Sequence, residues 1–150
     1  MLINTVVFLL TFTAMEFWAA FVHRVVYHGV LWSVHRSHHR ARRTGVFERN
    51  DLFVLLHAIA AASIVVAGLF LGSDLLAAAG FGITAYGIAY FIVHDGYIHA
   101  RLPVAWLDHF AVFRRIKVAH LYHHTGDPCT HFGLFFWNRR YGRPSPSSTV

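Results

Sequence analysis

Charge is scarce in this chain. Of its 150 residues only 13% are Asp, Glu, Lys or Arg while 56% are apolar, against about 25% and 45–50% in soluble domains. That is the composition of a membrane protein. Cysteine occurs once, as Cys129, which excludes an internal disulfide, a four-cysteine zinc site and covalent c-type haem. Acids number seven, only Glu16 and Glu48 are glutamates, and no Glu-x-x-His occurs, so the ligand set of soluble di-iron bundles is missing. No flavin or dinucleotide motif is present either, so any redox chemistry must draw its electrons from a separate carrier. Imidazole is what remains: 13 histidines equal all Lys and Arg together and outnumber the acids.

The apolar residues fall into runs of bilayer length. Residues 52–71 carry no charge, and a 20-residue helix spans about 30 Å, the hydrocarbon thickness of a membrane. Residues 75–93 form a second uncharged run, and 2–22 a third whose strongly polar members are Asn4 and Glu16. The third lacks the basic start of a secretory signal and is read as a retained span. Every Lys and Arg lies in 24–49 or 101–143. By the positive-inside rule both stretches are cytoplasmic, with the N-terminus and the Gly72-Ser73-Asp74 turn on the other side. The expected fold is an all-α integral membrane protein, one domain over 1–142, with three spans under a cytoplasmic histidine-rich cap. Residues 103–118 are too polar to span and are read as an interfacial helix, a fourth short hydrophobic hairpin being the alternative. The Pro/Ser-rich tail 143–150 is expected to be disordered.

One internal repeat carries the chemistry. His23-x4-His28 leads to His35-x2-His38-His39, and His94-x4-His99 leads to His120-x2-His123-His124. Each half follows a span and emerges on the same inferred side. On an α-helix the members of His-x2-His-His lie within about 60° of the first, so one turn can offer two or three imidazoles to one ion. His-x4-His separates its members by about 140°. Either they serve two ions, or Gly29 and Gly96 mark distorted helix ends that bring them together. Ten imidazoles suit two ions of five or six ligands each, and exceed what one tetrahedral zinc needs.

Other polar residues have plainer readings beside the functional ones. His57, His109 and His131 stand outside the repeat and are read as non-ligands. Glu16, two turns before His23, is either functional, as an acid inside a span suggests, or a helix-packing hydrogen bond. Asn50 and Asp51 precede an apolar run as helix N-caps. Asp95 either orients a neighbouring imidazole or pairs with an arginine. Arg36, Arg40, Arg42 and Arg43 meet anionic headgroups or a protein partner. The small residues of 77–89 form a surface that lets spans approach closely. A b-type cytochrome is disfavoured because only His57 lies within a span. A divalent-metal transporter is disfavoured because the histidines gather at one surface rather than the midplane.

The order of the four histidine boxes resembles the membrane fatty acid hydroxylase and sterol desaturase superfamily. Met15-Glu16, Tyr27-His28-Gly29, Phe47 with Asn50-Asp51, Thr84-Ala85-Tyr86-Gly87 and His94-Asp95-Gly96 resemble, more narrowly, its bacterial and plant β-carotene hydroxylases. The likeness runs from about Met15 to Phe136. It implies a non-haem di-iron monooxygenase with two iron ions, O2 as co-substrate, and hydroxylation of β-ionone rings at carbon 3. It also implies that His23, His28, His35, His38, His39, His94, His99, His120, His123 and His124 are the iron ligands. The expected partners are a reduced ferredoxin or similar donor at the basic face, a carotenoid drawn from the lipid membrane, and no nucleic acid. A bacterial inner membrane is the expected location. The boxes specify the metal site rather than the pocket, so a fatty acid, a sterol or another lipid is the alternative substrate.

Overall fold

The computed structural model describes residues 1–40, 47–125 and 130–136; Arg42, Arg43, Cys129 and the tail 143–150 lie outside them. Among the described residues the fold is all helical. Three long helices, α1 (Leu2–Phe21), α3 (Asp51–Phe70) and α4 (Asp74–Tyr90), match the three apolar runs. With their continuations they are long and apolar enough to cross a membrane. Leu9, Leu10, Leu55, Leu56, Ile59, Leu69 and Phe70 stay exposed. In water such a surface would aggregate, whereas against acyl chains it is the required one.

What holds the spans together is close backbone approach. Helix α4 packs against both α1 and α3, and glycines sit at both contacts. A methyl at Gly80 would come within 2.8 Å of the Val65 amide nitrogen, and one at Gly82 within 2.5 Å of the Phe8 carbonyl oxygen. The expected small-residue packing surface is thus used on two sides. Helices α3 and α4 join through a turn in which Gly72 has φ +63°, the left-handed conformation glycine adopts without penalty. Ser73 then caps α4 through its Oγ, which accepts from the Leu76 amide.

Each box-bearing span ends in a π-helical segment. Val22–Val30 continues α1 and Phe91–Ile98 continues α4. The first breaks at Gly29, whose φ −98° and ψ −113° are non-helical, and a short α2 (Trp32–His35) follows. Beyond the second, the Arg101 guanidinium donates to both oxygens of Asp51 at 2.7 Å and to Asp95 at 2.9 Å. That one side chain ties the start of α3 to the end of the α4 span.

Residues 103–118 depart from the expected single helix. A 3-10 turn, Ala105–His109, is separated from α5 (Ala111–Thr125) by an extended Phe110. Helix α5 runs on past 118 because the final histidine box is part of it. Val93, Tyr97, Ile98, Leu107, Ile116 and Leu134 form the hydrophobic cluster that seats α5 under the spans.

Candidate metal centre

The π-helical segments settle how His-x4-His works. Their backbone bonds run i to i+5 rather than i to i+4, as in the 3.0 Å bond from the His99 amide to the His94 carbonyl. Residues five apart are therefore stacked instead of opposed. The rings of His23 and His28 lie 4.9 Å apart and those of His94 and His99 4.8 Å apart. Of the two alternatives the spacing allowed, the distorted helix end is the one adopted.

Nine of the ten boxed histidines assemble into two groups. His23, His28, His35, His39 and His123 form the first, and His38, His94, His99 and His120 the second, with the ligand atoms of each group within 4.8 Å of one another. The groups do not follow the sequence halves. His35 and His39 turn to the first group while His38, between them, turns to the second; His123 likewise leaves the second half for the first. The middle histidine of each His-x2-His-His box thus crosses over, so one box does not serve one ion. The tenth, His124, lies between the groups, its ring 4.2 Å from His39 and 4.6 Å from His120. Its Nε2 is buried with no hydrogen-bond partner.

For five of these rings, hydrogen bonding to an oxygen fixes which nitrogen carries the proton. His23 Nδ1 lies 2.9 Å from the Phe132 carbonyl, His123 Nδ1 2.6 Å from the Thr130 carbonyl and His35 Nδ1 2.7 Å from Asn50 Oδ1. In the second group His38 Nδ1 faces Glu48 Oε2 at 3.3 Å and His94 Nδ1 faces Asp95 Oδ2 at 3.0 Å. These oxygens accept, so each Nδ1–H donates and the Nε2 of the neutral ring is left with a lone pair. Yet the Nε2 atoms face each other, 3.1 Å apart for His23 and His35 and 3.2 Å for His38 and His94. Two lone pairs at that distance repel unless a cation lies between them. Two nitrogens each about 2.1 Å from one ion and at right angles around it are about 3.0 Å apart. The donor sets therefore fit two transition-metal ions.

Electrostatics point the same way. Burial, reinforced by neighbouring imidazoles, holds the pKa of His35 down to about 2, His39 to about 3, His99 to about 2 and His123 to about 4. Burial also pushes His120 and His124 well below the usual imidazole range. The rings are kept neutral with their lone pairs available, as metal ligation requires.

Several partners were not legible as such in the sequence. Asn50 occupies the cap position of α3 but makes no cap bond; its side chain holds His35 instead. Asp95 does both things expected of it in the alternative, accepting from His94 through one oxygen and from Arg101 through the other. Glu16 makes the expected helix-packing bond, accepting from the Tyr86 hydroxyl, and further bonds to the chain near Leu134. His57 bonds the Phe53 carbonyl and His109 the Trp106 carbonyl. Neither they nor His131 join the two groups.

A cavity of about 590 Å³ opens between α1, α3 and α4. His23, His35, His94 and Asp95 line one end, and Met15, Ala58, Val65, Phe81 and Ile88 are among its apolar walls. It therefore reaches both histidine groups from within the membrane-spanning region.

A family model described as fatty acid hydroxylase matches residues 7–142. The chain belongs to the fatty acid hydroxylase family. It is accordingly an enzyme of hydroxylase type and an integral membrane protein, and its histidine groups are consistent with non-haem iron. A β-carotene hydroxylase of Pseudescherichia vulneris is 39% identical over 96% of this chain and 88% of its own length. β-Carotene 3-hydroxylase 1 of Arabidopsis thaliana is 44% identical over 81% of this chain, and the β-carotene 3-hydroxylase of Gentiana lutea 43% over 81%. The chain spans about two fifths of those chloroplastic relatives, 40% and 39% respectively. The expected likeness to β-carotene hydroxylases is thus found in both bacterial and plant proteins. No solved structure matches the chain.

Proposed function

We propose that this family member is a di-iron monooxygenase that hydroxylates the β-ionone rings of carotenoids at carbon 3, converting β-carotene through β-cryptoxanthin to zeaxanthin. The observation that carries the reading is the apolar cavity that ends on both histidine groups, in a chain with β-carotene hydroxylases among its relatives. Each hydroxylation consumes one O2, two electrons and two protons, placing one oxygen atom in the ring alcohol and the other in water. Two irons, when bound, supply the redox capacity for O2 activation that zinc lacks.

The ten boxed histidines are the proposed ligands, with His124 completing the second group. Asn50, Glu48, Asp95 and the carbonyls of Phe132 and Thr130 hold five of the imidazoles by their Nδ1–H groups, fixing ring orientation and raising ligand basicity. The cavity walls take the hydrocarbon. Asp95 adds no uncompensated charge there, because Arg101 and His94 satisfy its oxygens. A carotene partitions into the bilayer, so entry between the spans needs no passage through water.

The basic stretches support a cytoplasmic position for the boxes, with the N-terminus outside, in what we read as a bacterial inner membrane. Exposed Arg24, Arg36 and Arg40 suit an acidic donor such as reduced ferredoxin. Pigment analysis after expression in cells that accumulate β-carotene tests the substrate. Zeaxanthin and β-cryptoxanthin are expected. Unchanged carotene with newly hydroxylated fatty acid or sterol would replace this reading with that of another lipid hydroxylase.

A further inference from the structure

Glu16, the one charged residue of α1, is 3% exposed, and its two oxygens accept four hydrogen bonds. Oε1 takes the backbone N–H groups of Leu134, Phe135 and Phe136 at 2.8, 2.8 and 3.0 Å, and Oε2 takes the Tyr86 hydroxyl at 2.7 Å. An acid in a span is costly unless its oxygens are satisfied, and here most of that satisfaction comes from one short stretch of chain. Gly133 lets that stretch approach, since a methyl there would come within 2.6 Å of Oε1.

The same stretch supplies the Phe132 carbonyl to His23 and follows directly on the Thr130 carbonyl that holds His123. The Phe132 ring also lies against His23, His28 and His123, with centroids 5.6, 5.4 and 5.4 Å away. All three histidines belong to the first group. In the second group, the Nδ1 acceptors of His38 and His94 are Glu48 and Asp95, elsewhere in the chain.

We propose that Glu16 is a positioning residue for the first metal site alone: it clamps residues 134–136 and thereby aims the carbonyls that orient His23 and His123. The proposal rests on the reading of the two histidine groups as metal sites. Removing groups that orient metal-bound histidines typically weakens affinity by about 10–100-fold, and here the loss should fall on one of two ions.

The test is titration of the purified full chain with Co2+ alone, following its ligand-field absorption and the bound stoichiometry. Wild type should take up two ions. Glu16→Ala should keep one at unchanged affinity and bind the other about 10–100-fold more weakly. Glu16→Gln should restore most of the loss, because an amide oxygen still accepts from the three N–H groups and the amide nitrogen can donate to Tyr86. Tyr86→Phe, which leaves Oε1 untouched, should change neither site by more than a few-fold. If Glu16→Ala does not insert, Gly133→Ala addresses the same clamp and should weaken the same single site. Equal weakening of both sites, or two ions held at wild-type affinity in Glu16→Ala or Gly133→Ala, overturns the proposal. Wild type with no Co2+ uptake, or His35→Ala with undiminished uptake, overturns the metal-site reading beneath it, so the two failures are told apart.

Discussion

His38 and His39 are neighbours in sequence and should fail in opposite places. His38 Nε2 lies 3.2 Å from His94 Nε2 and its ring 4.2 Å from that of His99, whereas His39 Nε2 lies 3.2 Å from His35 Nε2. Replacing His38 with Ala takes one of the four clustered imidazoles from the second group, strands the Glu48 carboxylate it faced, and leaves the first group whole. Tetrahedral structural zinc sites bind with about 10–16 kcal/mol, or roughly 2.5–4 kcal/mol per ligand. At about 1.4 kcal/mol per decade, one lost imidazole weakens its ion by roughly two to three orders of magnitude. His39→Ala should cost a similar factor at the other site. Chelator competition on the iron-loaded protein reads the effect: each variant should release one ion early and one at the wild-type chelator concentration. Combining His38→Ala with His94→Ala should still affect one ion, and combining it with His39→Ala should affect both. If the two single variants lose the same ion, or if His38→Ala with His94→Ala empties both sites, the crossed assignment is wrong.

Four further outcomes follow from the structure. Asn50→Ala should weaken iron retention about 10–100-fold in chelator competition while Asn50→Asp retains it, because only a side-chain acceptor for His35 Nδ1–H is required. Arg101→Ala leaves Asp95, whose side chain is 2% exposed, without its guanidinium partner; a loss of about 3–5 kcal/mol should appear as a lowered Tm in detergent. Ala58→Phe places a ring in the cavity wall and should cut carotenoid turnover at least about tenfold with iron content unchanged, as measured by pigment conversion beside metal analysis. In a Cys129→Ser background, Ser73→Cys should react with an impermeant thiol reagent only from the outer side, while a reporter fused after Val150 is active only inside.

The spans and the doubled boxes were legible because they are local: hydropathy needs only a window of about twenty residues, and repetition needs only two matching strings. The pairing of imidazoles was not. Whether His38 turns toward His94 or toward His35 depends on where α4 delivers the second half, which no spacing encodes. The π-helical winding escaped for a related reason. On α-helical geometry His23 and His28 point apart, and Gly29 marks an irregularity without specifying its kind. Asn50 misled because an Asn before an apolar run is ordinarily a cap, and its alternative partner, His35, lies 15 positions earlier. The acceptors of Phe132 and Thr130 are backbone carbonyls, which every residue has, so no residue type announces them. For Asp95 both kinds of bond were legible, the imidazole from adjacency to His94 and an arginine as the alternative; that they coexist, and that the arginine is Arg101, needed the turn after the second π-helical segment.

The exchange of middle histidines has a bearing on how the protein comes into being. Synthesis proceeds from the N-terminus, so His23, His28, His35 and His39 are made long before His123, and His38 waits for His94, His99 and His120. Neither proposed ion can be fully held by the first half alone. On that reading an ion that arrives early meets an incomplete ligand set, which is completed only when α5 brings His120 and His123. On the proposed ligand sets, each ion, once seated, would be a clasp between the earliest and latest parts of the chain.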